Sequence, residues 1–217
     1  MKKTTFLFYF IILSFFANSQ TIKLQVGTSI SRLDWQTSGF STSPLYDEIM
    51  IGPSLLIGVD YLERKYFNIS SNIGFIKKGG KEEFETRDQS GITGETVIQS
   101  VWLDYITLNT TFDLKLPVNN RFTPFISIGP RIGYIINNSN DFEPLIENNE
   151  LSTLKAGLIA GGGLMFLISN FQLGIRADYY SDFGNVAEWN REVMQQKVNG
   201  KIRVESFTVN LTFGYKL

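Results

Sequence analysis

Nine charged side chains fall at alternate positions of strand-like stretches, and their types and spacing could support chemistry. Alternate residues of a strand share one face, so these side chains could converge on a common interior. There they could form a polar conduit or relay a substrate. They could instead pair with one another, because a lone buried charge is costly and a hydrogen-bonded pair is tolerated. The nine residues are Lys23, Asp60, Asp113, Lys115, Arg131, Lys155, Arg176, Asp178 and Lys216.

The chain contains no histidine and no cysteine. Serine-hydrolase and other imidazole-dependent mechanisms are therefore excluded, since they need a base or acid with a pKa near neutrality. Thiol chemistry and zinc sites built on histidine or cysteine are excluded as well. A site made of two carboxylates is left open, although no spacing singles one out. We predict no enzymatic activity, no cofactor and no metal.

Eight stretches carry an apolar residue at every second position, a period that is typical of strands with two different faces. These predicted strands hold the nine charged side chains. Their connections alternate strictly between short and long, as in an up-and-down barrel that crosses a bilayer with both chain ends on one side. The sequence therefore predicts an all-β, eight-stranded antiparallel transmembrane barrel. The stretches are 22–33, 51–62, 66–77, 102–116, 122–136, 154–167, 171–181 and 204–217.

The two faces of these stretches could be arranged in opposite ways. In the last stretch Phe207, Leu211 and Phe213 alternate with residues such as Asn210 and Thr212. A soluble periplasmic lipid-binding barrel would turn the apolar face inward, whereas a membrane barrel turns it toward lipid. Eight strands leave little interior room, and aromatic residues cluster near the stretch ends as in membrane girdles. We therefore expect the apolar face outside and the charges paired within, with Arg131 and Arg176 each near a carboxylate.

The fourth stretch is less regular, because its alternation changes phase near Tyr105 and Ile106, which indicates a bulge or the exit from the membrane. We assign its outward and inward faces from Ile106 onward. The outward residues are Ile106, Leu108, Thr110, Phe112 and Leu114, and the inward residues are Thr107, Asn109, Thr111, Asp113 and Lys115.

Residues 1–19 have the features of a secretory signal peptide. Lys2 and Lys3 precede an apolar run at 6–16 that is too short to span a membrane as a helix, and Ser19 fits the small residue before a cleavage site. We predict cleavage after Ser19, with residues 20–217 forming one outer-membrane barrel domain. The absence of cysteine excludes disulfides and a lipid-modified cysteine. The net charge of −1 gives no indication of nucleic-acid binding.

Apolar residues in otherwise polar connections are candidates for contacts with a protein partner at the outer loops. Exposed aromatic clusters can mark recognition surfaces, but these residues could also pack over the barrel mouth, with a short helix near 186–197. The connection 79–100 is predicted to be an exposed loop. The acidic connection 137–153 raises a calcium hypothesis that its spacing does not favour. The candidate contact residues are Trp35, Phe40, Tyr46 and Trp189.

Four segments resemble the PorT-like group of outer-membrane β-barrel domain proteins, which are small eight-stranded barrels. They are PFISIGPRIGY (124–134), GLIAGGGLMF (157–166), FQLGIRADYY (171–180) and LTFGYKL (211–217). The resemblance covers most of the chain after residue 19, but a proline usual in the fourth strand of the group is absent from 105–115. It implies outer-membrane localisation, contact with membrane lipid and no catalytic motif. Some members resemble accessory parts of a protein-export machine.

Three functions are compatible with these features. The leading hypothesis is a non-enzymatic structural or interaction protein that acts through its extracellular loops, including an accessory component of a secretion or surface assembly. The second is a passive transporter or small pore for hydrophobic solutes. The third is a soluble periplasmic lipid-binding barrel. The sequence predicts no nucleic-acid partner and does not determine the oligomeric state.

Overall fold

The computed structural model describes residues 20–37, 45–87, 93–119, 121–142, 148, 150–193 and 196–217. The predicted signal peptide and the candidate contact Phe40 lie outside these ranges. Within them the chain forms nine strands and one 3-10 turn, Asn140–Phe142. The strands are β1 (Thr21–Thr37), β2 (Glu48–Glu63), β3 (Phe67–Arg87), β4 (Thr93–Lys115), β5 (Phe122–Asn138), β6 (Leu154–Ile168), β7 (Phe171–Asp182), β8 (Ala187–Val193) and β9 (Gln196–Lys216).

Eight of the described strands close into an antiparallel ring, as the sequence predicted. Each strand from β1 to β7 pairs with the next, β7 pairs with β9, and β9 pairs with β1 from Thr21↔Lys216 to Thr37↔Gly200. Closure removes the exposed sheet edges around the wall. Short turns join β2 to β3, β4 to β5 and β6 to β7, and they define the turn end of the barrel. We call the opposite end the loop end.

Several strands continue past the ring at the loop end, where the sequence predicted loops. β3 and β4 pair as far as Arg87 and Thr93, so most of the connection 79–100 is a hairpin. The predicted helix near 186–197 is also wrong, since β8 is a strand that pairs with β9 from Ala187↔Ile202 onward. The reason is that β9 extends beyond the ring, where its backbone N–H and C=O groups form hydrogen bonds with β8.

The two faces of the wall are arranged as predicted for a membrane barrel. Outward residues form an apolar band that includes Ile22, Ile57, Ile128, Leu173 and Leu211, all exposed on this isolated chain. Aromatic pairs lie in this band toward the turn end, such as Phe122 with Phe166 and Phe171 with Tyr215. Among the described residues, no helix is long and apolar enough to cross a membrane.

The register of β4 follows the predicted change of phase. Between β4 and β5 the pairing shifts from Asp104↔Asn137 to Tyr105↔Ile135, which is a bulge at the predicted position. From Ile106 to Leu114 the outward residues are the ones assigned from the sequence, and Thr107, Asn109, Thr111, Asp113 and Lys115 are buried inside. The bulge turns both Leu103 and Tyr105 into the barrel.

Candidate functional site in the barrel interior and its cap

Ion pairs fill the barrel interior near the turn end. Lys23 Nζ on β1 lies 2.5 Å from Asp60 Oδ1 on β2, and both side chains are buried. Nearby, Lys115 Nζ donates a hydrogen bond of 3.1 Å to Glu63, and Lys216 Nζ lies 3.3 Å from the other oxygen of that carboxylate. Lys216 is 46% exposed, so its predicted position inside the barrel is wrong. It lies at the rim because β9 ends there.

Glu63 lies at the end of β2, outside the apolar band, and its charge is stabilised by two lysines. Burial alone would raise its pKa, but Lys115 and Lys216 outweigh burial, and the pKa of Glu63 lies below its ordinary value of 4.5. A carboxyl with a lowered pKa in the folded state stabilises the fold above its unfolded pKa. That contribution is lost as the pH falls through the folded pKa.

We therefore expect Glu63→Gln to unfold at a lower temperature than the unchanged protein at pH 7, and the two to converge at an acidic pH below the folded pKa of Glu63. The measurement is loss of the folded gel band on heating, in refolded protein. Glu205→Gln is the control, because the pair of Glu205 with Arg32 is exposed and solvent screens such pairs, so its loss should have little effect. If the unfolding temperatures differed by the same amount at both pH values, the loss of stability would come from packing and not from charge.

The middle of the interior is organised around Arg176 on β7. Its Nε donates to Asp178 Oδ2 at 2.7 Å, and its Nη2 donates to Ser127 Oγ at 2.9 Å. Its Nη1 lies 3.5 Å from Asp113 Oδ1 on β4, across the barrel. The guanidinium also lies 5.6 Å from the ring centroid of Phe125. One buried cation thus holds two buried carboxylates and links three strands.

Uncharged side chains complete the middle layer. Gln25 donates a hydrogen bond of 3.0 Å to Asn72, which in turn donates one of 2.9 Å to Asn109. A cavity of about 10 Å³ lies beside Lys23, Asp113 and Arg176. This is room for about one water molecule.

A third charged layer lies toward the loop end. Arg131 on β5 forms a close ion pair with Asp182 at the end of β7, and Lys78 Nζ on β3 lies 4.0 Å from the other oxygen of Asp182. Lys155 on β6 donates to the backbone carbonyl of Asn185. The rings of Tyr105 and Tyr180 flank Lys78, with centroids 5.0 Å and 4.8 Å from its Nζ. Both arginines named in the sequence analysis therefore contact carboxylates.

Three residues of this network were missed by the sequence analysis: Glu63, Lys78 and Asp182. The predicted third and seventh stretches ended at 77 and 181, one residue before Lys78 and Asp182, whereas β3 continues to Arg87. Continuing the inward alternation of β3 by one step reaches Lys78, and the same step on β7 reaches Asp182. The signal was present, but the strand ends were placed where the chain becomes polar.

An apolar cap closes the interior at the loop end. Trp35 lies at its centre, with its ring centroid 5.7 Å from Tyr46, 6.0 Å from Phe142 and 5.9 Å from Trp189. Buried residues such as Leu33 continue the cap into the barrel. Burial raises the pKa of Tyr46, and Asp141 and Glu82 raise it further. Three of the four candidate contact residues thus pack on one another over the barrel mouth.

The carboxylates at the loop end do not assemble into a metal site in the part of the chain that is described, where no group of three histidine, cysteine or acidic residues lies close enough to hold an ion. Asp141 accepts a hydrogen bond from the side chain of Gln99. Two further carboxylates of the acidic connection 137–153, Glu143 and Glu147, lie outside the described residues.

A two-stranded ribbon, residues 82–87 and 93–99, extends beyond the barrel. β3 pairs with β2 only as far as Lys81, and β4 pairs with β5 only from Leu103, so the described pairing of the ribbon is between its own two strands. Phe84 and Val97 lie opposite each other on one face and are 39% and 50% exposed, and Ile98 on the other face is 56% exposed. Apolar side chains on a protruding ribbon are candidates for protein contact.

The comparisons with known proteins agree with this architecture. The family model described as "Outer membrane protein beta-barrel domain" matches residues 16–188. The outer membrane protein OprG from Pseudomonas aeruginosa is 10% identical with a TM-score of 0.52, over 91% of this chain and 95% of that chain. Neisserial surface protein A is 11% identical with a TM-score of 0.48, over 90% and 97%. Ail, the attachment invasion locus protein of Yersinia pestis, is 14% identical with a TM-score of 0.43, over 92% and 98%. No curated protein matches the chain in sequence.

Proposed function

The chain belongs to the family of outer membrane protein beta-barrel domains, and we propose that it is a non-enzymatic barrel that binds a protein partner through its loop end. The observation that carries the proposal is the closed interior beneath an exposed ribbon. Salt bridges in three layers and an aromatic cap fill the barrel. The surface available to bind a partner is therefore at the loop end. The membrane lipid then surrounds the apolar band.

The ribbon is the part of the loop end best suited to contact a partner. Its apolar residues Phe84, Val97 and Ile98 stand among the exposed carboxylates Glu83 and Glu85. A complementary surface would present an apolar patch with basic residues at its margin, because matched charges favour association. Trp35 and Trp189 pack in the apolar cap at the base of the ribbon. We therefore assign the partner contacts to the ribbon and not to these two residues.

A photo-crosslinking amino acid at Val97 tests the proposal in intact cells of the native host. We expect a covalent adduct with one protein, reduced at least tenfold by Phe84→Ser combined with Ile98→Ser, because these changes remove the apolar contact. Phe183→Ser is the matched control, since Phe183 is 61% exposed, directly follows β7 and is not part of the ribbon. Adducts that persist equally in the double variant, or no adduct at all, would contradict a role for the ribbon.

The second candidate is a passive transporter for hydrophobic solutes. Flux of an apolar dye into liposomes that contain the refolded barrel distinguishes it from the first. The filled interior favours no flux above protein-free liposomes. The soluble lipid-carrier hypothesis does not fit, because its apolar face would line the barrel and here that face is outside.

Finer features of the proposal come from the sequence. We propose that residues 1–19 are a signal peptide removed after Ser19, that the turn end faces the periplasm, and that the loop end faces outward. The resemblance to the PorT-like group supports an accessory role in a secretion or surface assembly. Mass spectrometry of the mature chain, with Gln20 as its first residue, would test the cleavage site.

A further inference from the structure

The charged layer nearest the cap differs from the other two in its charge balance. Lys78, Arg131 and Lys155 are buried there. Asp182 is the carboxylate shared by Lys78 and Arg131, and Lys155 donates to the backbone carbonyl of Asn185. In the other layers every buried cation has a carboxylate within 3.1 Å, as Lys23 has Asp60 and Arg176 has Asp178. Asp104 does not offset the excess, because it pairs with Lys77 on the outer side of the wall.

Several donors in this layer have no hydrogen-bond partner among the described residues. They are Lys78 Nζ, Arg131 Nε and Nη2, and the Tyr105 hydroxyl group. Lys78 Nζ is 4.0 Å from Asp182, which is too far for a hydrogen bond, and the Lys78 side chain is 0% exposed. Asp182 Oδ2 is the unpartnered acceptor beside them. Buried charges and donors without partners are costly, so an excess of donors in one place points to an anionic ligand.

We propose that Lys78, Arg131 and Tyr105 bind a small monovalent inorganic anion, of which chloride is the representative. The three residues come from β3, β5 and β4, so the anion would hold these strands together beneath the cap. Leu33, Leu103 and Phe142 are fully buried in the same cluster as Tyr105, so a larger anion would have to displace them. Chloride accepts hydrogen bonds from ammonium, guanidinium and phenol groups and balances part of the local positive charge.

Bromide replaces chloride in such sites and can be located by anomalous diffraction. Crystals of the refolded mature barrel grown in sodium bromide are expected to show an anomalous peak within hydrogen-bond reach of Lys78 Nζ, Arg131 and the Tyr105 hydroxyl group. A map without a peak among these three residues, at a bromide concentration that labels other sites, overturns the proposal.

A stability measurement tests the same site in solution. A ligand that binds the folded state raises the unfolding temperature, so the folded gel band should survive to a higher temperature in sodium chloride than in sodium gluconate of equal ionic strength. Lys78→Met should remove this difference. Lys77→Met, the same change at the neighbouring outward residue, should keep it. Equal unfolding temperatures of the unchanged protein in both salts overturn the proposal. If Lys78→Met does not fold, the bromide experiment tests the site without that variant.

Discussion

Replacing Arg176 by methionine is expected to destabilise the folded barrel by about 3–5 kcal/mol, the usual cost of removing one partner from a buried ion pair. The change leaves Asp178 and Asp113 buried without their cation, and it removes the hydrogen bond to Ser127. Equilibrium unfolding by urea in lipid vesicles, followed by the folded gel band, measures the loss.

Two companion variants separate charge from packing. Arg176→Met combined with Asp113→Asn and Asp178→Asn removes the unpaired charges and should recover much of the stability. Arg32→Met removes an arginine from an exposed pair with Glu205, 2.7 Å apart, and should cost much less, because solvent screens exposed pairs. If the single Arg176 variant were as stable as the Arg32 variant, the central ion pairs would not be what holds the interior together.

Replacing Leu211 by arginine is expected to destabilise the inserted barrel by about 2–4 kcal/mol, the cost measured for a basic residue at the middle of a lipid-facing wall. Leu211 is 55% exposed on this isolated chain and lies in the middle of the outward row of β9, between Val209 and Phe213. In the membrane its neighbours are acyl chains, which cannot solvate a guanidinium group. The measurement is the free energy of unfolding from vesicles.

The matched control is Leu116→Arg, the same change just after the end of β4, where the side chain lies near the turn end. Arginine at a membrane boundary should cost about 0–1 kcal/mol, because it reaches the headgroups. Equal costs at both positions would mean that Leu211 does not lie at bilayer depth. The comparison therefore measures where the apolar band sits in the membrane.

Arg176 and Leu211 lie on opposite faces of one wall, and both assignments were predictable from the sequence. Alternation in β9 and β7 assigned Leu211 to the outside and Arg176 to the inside. The bulge near Tyr105 was predictable as well, because a change of phase in the apolar pattern has few other structural causes. Alternation is a local property of an extended chain, so it can be read without knowing what the strand pairs with.

Strand ends and loop structure were less predictable. Lys78 and Asp182 were missed because polar residues at a strand end look like the start of a loop. The segment after Val186 was wrongly predicted as a helix, since its local pattern does not reveal that β9 continues past the barrel as a pairing partner. Lys216 was assigned to the interior by alternation, although the wall ends there.

The sequence by itself determined the fold class, the two faces of each strand and the absence of histidine and cysteine chemistry. The tertiary structure decided which charges meet: Arg176 with Asp113 across the barrel, Lys78 with Asp182, and Trp35 with Trp189 in the cap. The physical reason is that face assignment depends on the backbone geometry of a single strand. Contacts across the interior depend on how eight strands are staggered and tilted when the barrel closes.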